Sequence, residues 1–135
     1  MRTGATFRLH GDGGLLTAAV VTSLLDLEPT KAHEAGEPRR HGRGSPRESS
    51  TWILSTEIED DTELDVQLRK LLTVLEPRTA DLWNLVRRGY DANWFCYVGS
   101  YAMEHAVVLD RDLMTRLLAL PGELWLDIYE DGPDS

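Results

Sequence analysis

The chain has 135 residues, enough for one domain with a buried core. Hydrophobic residues make up 41% and charged residues 27% of it, which excludes a fully disordered chain, and a single cysteine excludes a disulfide framework. Acidic residues outnumber lysine and arginine by 23 to 14, and the net charge of −9 disfavours general binding to nucleic acid or to an anionic membrane. No apolar stretch approaches the roughly 18 residues of a membrane span, and the lone cysteine fits the cytoplasm.

The first predicted elements are a strand and a helix. Residues 6–10 alternate, which places Phe7 and Leu9 on one face of a strand. A glycine-rich turn leads to apolar residues at near-helical spacing, which predict a helix over residues 16–27. Pro29 disfavours helical geometry at the residue before it and ends this helix.

A long loop is predicted over residues 31–50. The segment has no large apolar side chain, and its glycines and prolines interrupt any regular element. Loops of this length are usually functional or disordered. A flexible, solvated loop explains this segment most simply; as a partner, an acidic protein or small anion is favoured over nucleic acid, because aromatic residues for base stacking are missing. Its basic residues are Lys31, Arg39, Arg40, Arg43 and Arg47.

The second half of the chain alternates strands and helices. Residues 51–58 predict a strand with Trp52 on its core face. Thr62 and Asp65 resemble a capping box before a leucine-rich helix over residues 64–75. The remaining predicted elements are a helix that follows Pro77 and ends at Gly89, a strand over residues 94–98, a short strand over 106–109, a helix capped by Asp110, a strand over 124–129 and a tail over 131–135.

The order of several sequence fragments is more specific than any one of them. In chain order they are LLDLEPTK at 24–31, GEPRR at 36–40, the Trp52 strand, LL and LEPR within 71–78, the aromatic strand around residues 96–97, and LDIY at 126–129. Together they resemble the bacterial family of unknown function DUF4279, over residues 6–129. The resemblance implies a small α+β domain with no established activity. The resemblance also implies a helix-ending glycine at position 26, where this chain has Asp26.

Three patterns could carry chemistry, and each has a better structural explanation. The glycine-rich turn at residues 11–14 lacks the lysine of a phosphate-binding loop. His33, Glu37 and His41 have a spacing that could bind zinc on a helix, but the glycine and proline between them disfavour a helix. Cys96 alternates with apolar residues, as a core cysteine does. We therefore predict no catalytic residue, no metal site and no cofactor.

The two faces of the predicted sheet differ in chemistry. One carries the apolar rows, and the other combines aromatic with charged side chains, a mixture typical of binding surfaces. A covering loop or a second subunit would explain the same mixture. The residues predicted to face the helices are Phe7, Leu9, Trp52, Leu54, Trp94, Cys96, Leu124, Leu126 and Ile128. The candidate binding residues are Lys31, Arg39 and Arg40 in the loop and Tyr97, Trp125 and Tyr129 on the sheet.

We predict a single α+β domain, with a mainly antiparallel sheet of about four strands and two to three helices on one face. The favoured function is a non-enzymatic binding module that recognises a protein or a small acidic ligand through the aromatic sheet face and the basic loop. An immunity-like role would suit a small acidic domain by analogy alone. Two alternatives stay open: a small enzyme with an unrecognised site, and a homodimeric structural protein that pairs through its sheet.

Overall fold

A computed structural model describes residues 1–39, 44–100 and 105–130. The predicted tail at 131–135 lies outside these residues. The elements are β1 (Arg2–Gly11), α1 (Ala18–Leu25), β2 (Lys31–His33), β3 (Ser50–Ser55), β4 (Glu59–Asp60), α2 (Leu64–Leu75), a 3-10 turn (Glu76–Arg78), α3 (Thr79–Arg88), β5 (Asp91–Ser100), α4 (Arg111–Ala119) and β6 (Glu123–Glu130).

One mixed sheet of six strands organises the described residues. The strand order is β2-β3-β1-β5-β6, and β4 pairs with the start of β1. All pairs are antiparallel except β5 with β6, which is parallel. The α+β class is confirmed, but the prediction of a mainly antiparallel sheet of about four strands is wrong in number, since six strands form and one pair of them is parallel. The chain crosses from β5 to β6 through α4, and such a crossover returns the second strand in the same direction.

Three helical segments lie among the described residues: α1, the run α2–3-10 turn–α3, and α4. Pro77 sits in the 3-10 turn, where the predicted interruption becomes a tightened turn rather than a break. None of the described helices is long and apolar enough to cross a membrane.

Three local predictions are wrong. Residues 31–33 are not loop, because β2 pairs with β3. Residues 106–109 are irregular rather than a strand. No capping box precedes α2: the helix begins at Leu64 without a side-chain cap, and the Thr62 hydroxyl donates instead to the carbonyl of Asp60 at 2.9 Å.

The helix caps follow the predictions more closely. Thr17 caps the first turn of α1, and Asp26 ends it in the left-handed conformation with φ 50°, so α1 is shorter than the predicted 16–27. This is the conformation that the implied glycine would favour. Gly89 ends α3 with φ 118°, and the Asp110 carboxylate caps α4, both as predicted.

Alternate residues of the central strands form the core. Phe7 lies between Leu54 and Trp94 on the adjacent strands, and its ring meets the Trp94 ring at 4.9 Å between centroids. Trp52 is fully buried and donates from Nε1 to the Thr22 hydroxyl of α1 at 3.0 Å. The predicted core positions of Phe7, Trp52 and Trp94 are confirmed.

A buried glutamine ties α2 to the sheet. Gln67 is fully buried, and its Nε2 donates to the carbonyls of Thr3 at 2.8 Å and Glu57 at 3.1 Å. Buried backbone carbonyls need such partners. These two hydrogen bonds therefore fix the position of α2 over β1.

Candidate functional site

The least covered strand of the sheet is β6. It ends the strand order, so its outer side has no partner strand among residues 1–39, 44–100 and 105–130. Its eight residues span about 26 Å at ~3.3 Å per residue. Natural sheets guard such edges with short strands, lysine, proline or bulges, because free N–H and C=O groups pair readily with an added strand. The sequence of β6, ELWLDIYE, has neither lysine nor proline.

The row of β6 that faces the helix side is apolar and exposed. The register places Leu126 beside Cys96 and Ile128 beside Val98 of β5. Leu126 is 43% exposed and Ile128 64%, whereas their neighbours on β5 are 0% and 2% exposed. The alternation predicted the face of this row correctly and its burial wrongly. Within the described residues, Leu126 and Ile128 are therefore left exposed beside buried positions of β5.

Helix α4 continues this apolar surface. Met114 and Leu118 of α4 are exposed, and they border a groove of about 290 Å³ that Leu124 of β6 and Trp94 of β5 also line. Leu118 is 83% exposed. Exposed apolar groups that adjoin one another in this way mark interaction sites more often than scattered single residues do.

The other face of β6 carries aromatic rings beside carboxylates. The rings of Tyr97 and Tyr129 lie 5.3 Å apart between centroids. The Tyr129 hydroxyl donates to Asp127 at 2.8 Å, and Trp125 Nε1 donates to Glu123 at 3.2 Å. The hydrogen bond to Asp127 raises the pKa of Tyr129, so its hydroxyl stays protonated at neutral pH. The structure thus brings together the three sheet residues predicted as binding candidates.

Arg8 anchors the inner end of this aromatic row. Its guanidinium lies 4.9 Å from the centroid of the Phe95 ring, and its Nε donates to Asn93 at 3.0 Å. Phe95 is in turn the register neighbour of Trp125 on β6. A cation stacked on a ring in this way holds both in place.

The basic candidates that the structure describes, Lys31 and Arg39, lie in and just after β2, at the opposite edge of the sheet. Lys31 opens β2, and Arg39 donates from Nε to the carbonyl of Ser45 at 2.9 Å. Arg40 lies outside the described residues. Four strand spacings of ~4.8 Å separate β2 from β6, which is about 19 Å. The structure therefore divides the predicted binding residues into two groups that one small ligand does not span.

The base of the loop is held by specific contacts. The carboxylate of Glu34 accepts from the Ala18 and Ala19 N–H groups at the start of α1, at 2.6 and 3.1 Å. The N–H of Gly36 donates to the Arg47 carbonyl at 2.8 Å. The pKa of His33, the last residue of β2, is lowered mainly by burial and next by the positive charge of Arg47. The described parts of this segment are thus joined to the domain rather than free of it.

A recess of about 430 Å³ lies at the carboxyl ends of the parallel pair β5 and β6. It is lined by Ser100, His105 and Glu130 together with apolar side chains. His105 Nε2 also lies 3.6 Å from a carboxylate oxygen of Glu63. Recesses of this size at the carboxyl ends of parallel strands are common ligand sites.

The other sequence patterns have structural roles where they are described. Cys96 is buried, and burial raises the pKa of its thiol to about 12, which keeps it from acting as a thiolate. In the glycine-rich turn, Gly11 packs against Leu16 so closely that a side chain would clash. Within the described residues, no group of three or more histidine, cysteine or acidic side chains is placed to hold a metal ion.

Sequence analysis missed the exposed edge because β6 has the alternation of a core strand. The one signal in its sequence is the charge pattern, since every residue of β6 is acidic, aliphatic or aromatic. That pattern fits a covered strand as well as an edge. The groove beside α4 has no sequence signal, because helical spacing does not show which turns lie under other elements.

A comparison with family models places these features in a family. The model described as Domain of unknown function (DUF4279) matches residues 1–131. The chain belongs to this family. Searches of curated proteins and of solved structures found no match. The family assignment supports the resemblance drawn from the sequence fragments and leaves function to be argued from the site.

Proposed function

We propose that this DUF4279 protein is a non-enzymatic interaction module that binds an extended segment of a partner protein along β6. The observation that carries the proposal is the exposure of the apolar row of β6 beside fully buried neighbours on β5. An added strand would pair with the free edge and place its own apolar side chains beside this row, and pairing with a free edge is how β-strand addition binds peptides in other domains.

The contrast between the two edges of the sheet supports this choice. β2 has three residues and begins with Lys31, so it carries two of the features that guard an edge. β6 is longer and has neither lysine nor proline, and Trp125 and Tyr129 are exposed on its outer face. Large aromatic side chains of this kind are typical anchors in protein interfaces. A strand bound to β6 does not reach the basic loop, which is a separate surface.

A pair of matched variants tests the proposal. Leu126→Glu places a charge in the apolar row of β6, and Leu15→Glu makes the same change at an exposed leucine in another segment. Each protein is immobilised, incubated with host cytosol, and compared with the wild type. A genuine partner is lost with Leu126→Glu and kept with Leu15→Glu, and amide hydrogen exchange of the wild type slows across β6 when the purified partner is added.

Retention of that partner by a folded Leu126→Glu variant would contradict the proposal. So would slowed exchange confined to other strands. Circular dichroism of both variants establishes that they are folded before binding is compared.

The recess at the ends of β5 and β6 supports a second candidate function, binding of a small ligand. Its ionisable lining groups are His105, Tyr129 and Glu130. The substitution His105→Ala would then weaken binding of the small ligand in the recess and leave partner binding along β6 unchanged. One variant therefore separates the two functions.

A further inference from the structure

We propose that the segment bound along β6 comes from a basic partner and alternates apolar side chains with lysine or arginine. This inference rests on the function proposed above and adds the chemistry of the partner. It is carried by the charges of β6, by the separation of its two rows, and by the poor fit of a second copy of the chain.

The charges of β6 are all negative. Glu123 and Asp127 lie on its outer face, where they accept hydrogen bonds from Trp125 and Tyr129, and Glu130 ends the strand. The remaining residues of β6 are apolar or aromatic. The chain itself has a net charge of −9, so a basic segment is attracted both at long range and at the edge.

The two rows of β6 differ in chemistry, so each is complemented by a different kind of partner side chain. On the helix side, an added strand would meet the exposed leucine and isoleucine side chains, which are best covered by apolar groups. On the outer side it would meet carboxylates that flank exposed aromatic rings. Lysine and arginine pair with the first and stack on the second. Because strand side chains alternate in direction, both demands are met by one segment of alternating apolar and basic residues.

Arg8 borders these carboxylates on the outer face, where it lines a recess of about 220 Å³ together with Glu123 and Trp125. Arg8 lies on β1, two strands from β6, where Phe95 and Asn93 hold its guanidinium. The residues of β5 that share the outer face with β6 and adjoin it in register are uncharged from Asn93 to Tyr97. Within residues 1–39, 44–100 and 105–130, no ion pair joins Glu123 or Asp127 to a cation, so a basic segment can pair with these carboxylates.

A second copy of the chain fits the same edge poorly. Antiparallel pairing of β6 with itself, centred on Leu126, aligns the apolar rows but puts Asp127 diagonal to Asp127 and to Glu123 of the other copy, within about 7–8 Å. Centring the pair on Asp127 puts the two Asp127 carboxylates directly opposite. Like charges at these positions destabilise a strand pair.

The test uses two labelled peptides of about eight residues, one alternating valine with lysine and the other alternating valine with glutamate. Fluorescence anisotropy measures binding of each to the full-length protein. We expect the lysine peptide to bind, to weaken as salt rises from about 50 to 500 mM, and to slow amide exchange across β6. We expect the glutamate peptide not to bind.

Charge-reversal variants locate the contact. Asp127→Lys is expected to weaken the lysine peptide about tenfold or more and to favour the glutamate peptide. Glu28→Lys makes the same change in net charge at an exposed residue between α1 and β2, and is expected to leave binding within about twofold. Glu123→Lys serves as a second edge variant if Asp127→Lys does not fold.

Four results would overturn the inference: no binding of the lysine peptide, equal binding of both peptides, equal weakening by Asp127→Lys and Glu28→Lys, or a wild-type dimer in sedimentation with β6 amides protected. The last would make a second copy the occupant of β6 and overturn the proposed function as well, whereas the first three leave β6 open to a partner of other chemistry. The Leu126→Glu comparison with a natural partner fails independently if the edge itself is not the binding surface.

Discussion

Replacing Trp52 by alanine should destabilise the protein by about 3–5 kcal/mol. Trp52 is 0% exposed and lies in register between Leu9 of β1 and Ala32 of β2. The substitution removes a whole indole from a packed layer and leaves a cavity that the surrounding strands close only in part. It also deprives the Thr22 hydroxyl of its 3.0 Å hydrogen bond.

Trp125→Ala is the matched control, since it removes the same side chain from a position that is 56% exposed. We expect this change to cost clearly less than Trp52→Ala, because more than half of the Trp125 side chain stays in water in the folded protein and its removal leaves no enclosed cavity. Urea unfolding followed by far-UV circular dichroism gives the free energy of unfolding of each variant. A loss below about 1 kcal/mol for Trp52→Ala, or equal losses for the two variants, would show that β3 does not bury this face.

Three further outcomes are expected. Glu76→Gln should destabilise the protein at pH 7, because the hydrogen bond from Arg116 lowers the pKa of the Glu76 carboxylate. The stability that this carboxylate contributes is complete above its ordinary pKa of 4.5 and is lost as the pH falls through the lowered pKa. The urea midpoints of variant and wild type should therefore converge in acid. Asp26→Gly should raise stability by about 0.5–1 kcal/mol in the same assay, since residue 26 has φ 50°; a loss would mean that the carboxylate contributes more than the backbone strain. Limited trypsin should cut first within residues 36–50, where Arg39 is exposed, and the fragments should co-elute on gel filtration because β1 pairs with both β3 and β5; first cleavage at Arg87 would contradict this.

Features set by neighbouring residues could be predicted from the sequence. Alternation put Trp52 on the core face, and the carboxylate of Asp110 marked the start of α4. Gly89 marked the end of α3 in the same way. Each depends on backbone geometry over a few residues, which the sequence reports directly.

The short strands could not be predicted, because they are not set by their own neighbouring residues. β2 and β4 have three and two residues, too few to show a period. They are strands because distant segments pair with them. The buried amide of Gln67 has no sequence signal either, since its partners are carbonyls 64 and 10 residues away.

The sequence by itself determined which residues of each long strand share a face, because side chains alternate along any strand. It did not determine whether that face is covered. Leu126 and Cys96 have the same alternation and lie side by side, yet Leu126 is exposed and Cys96 is buried. Only the tertiary structure decided this, because burial depends on the strand order and on where the helices end, and both are set by contacts between segments far apart in the chain.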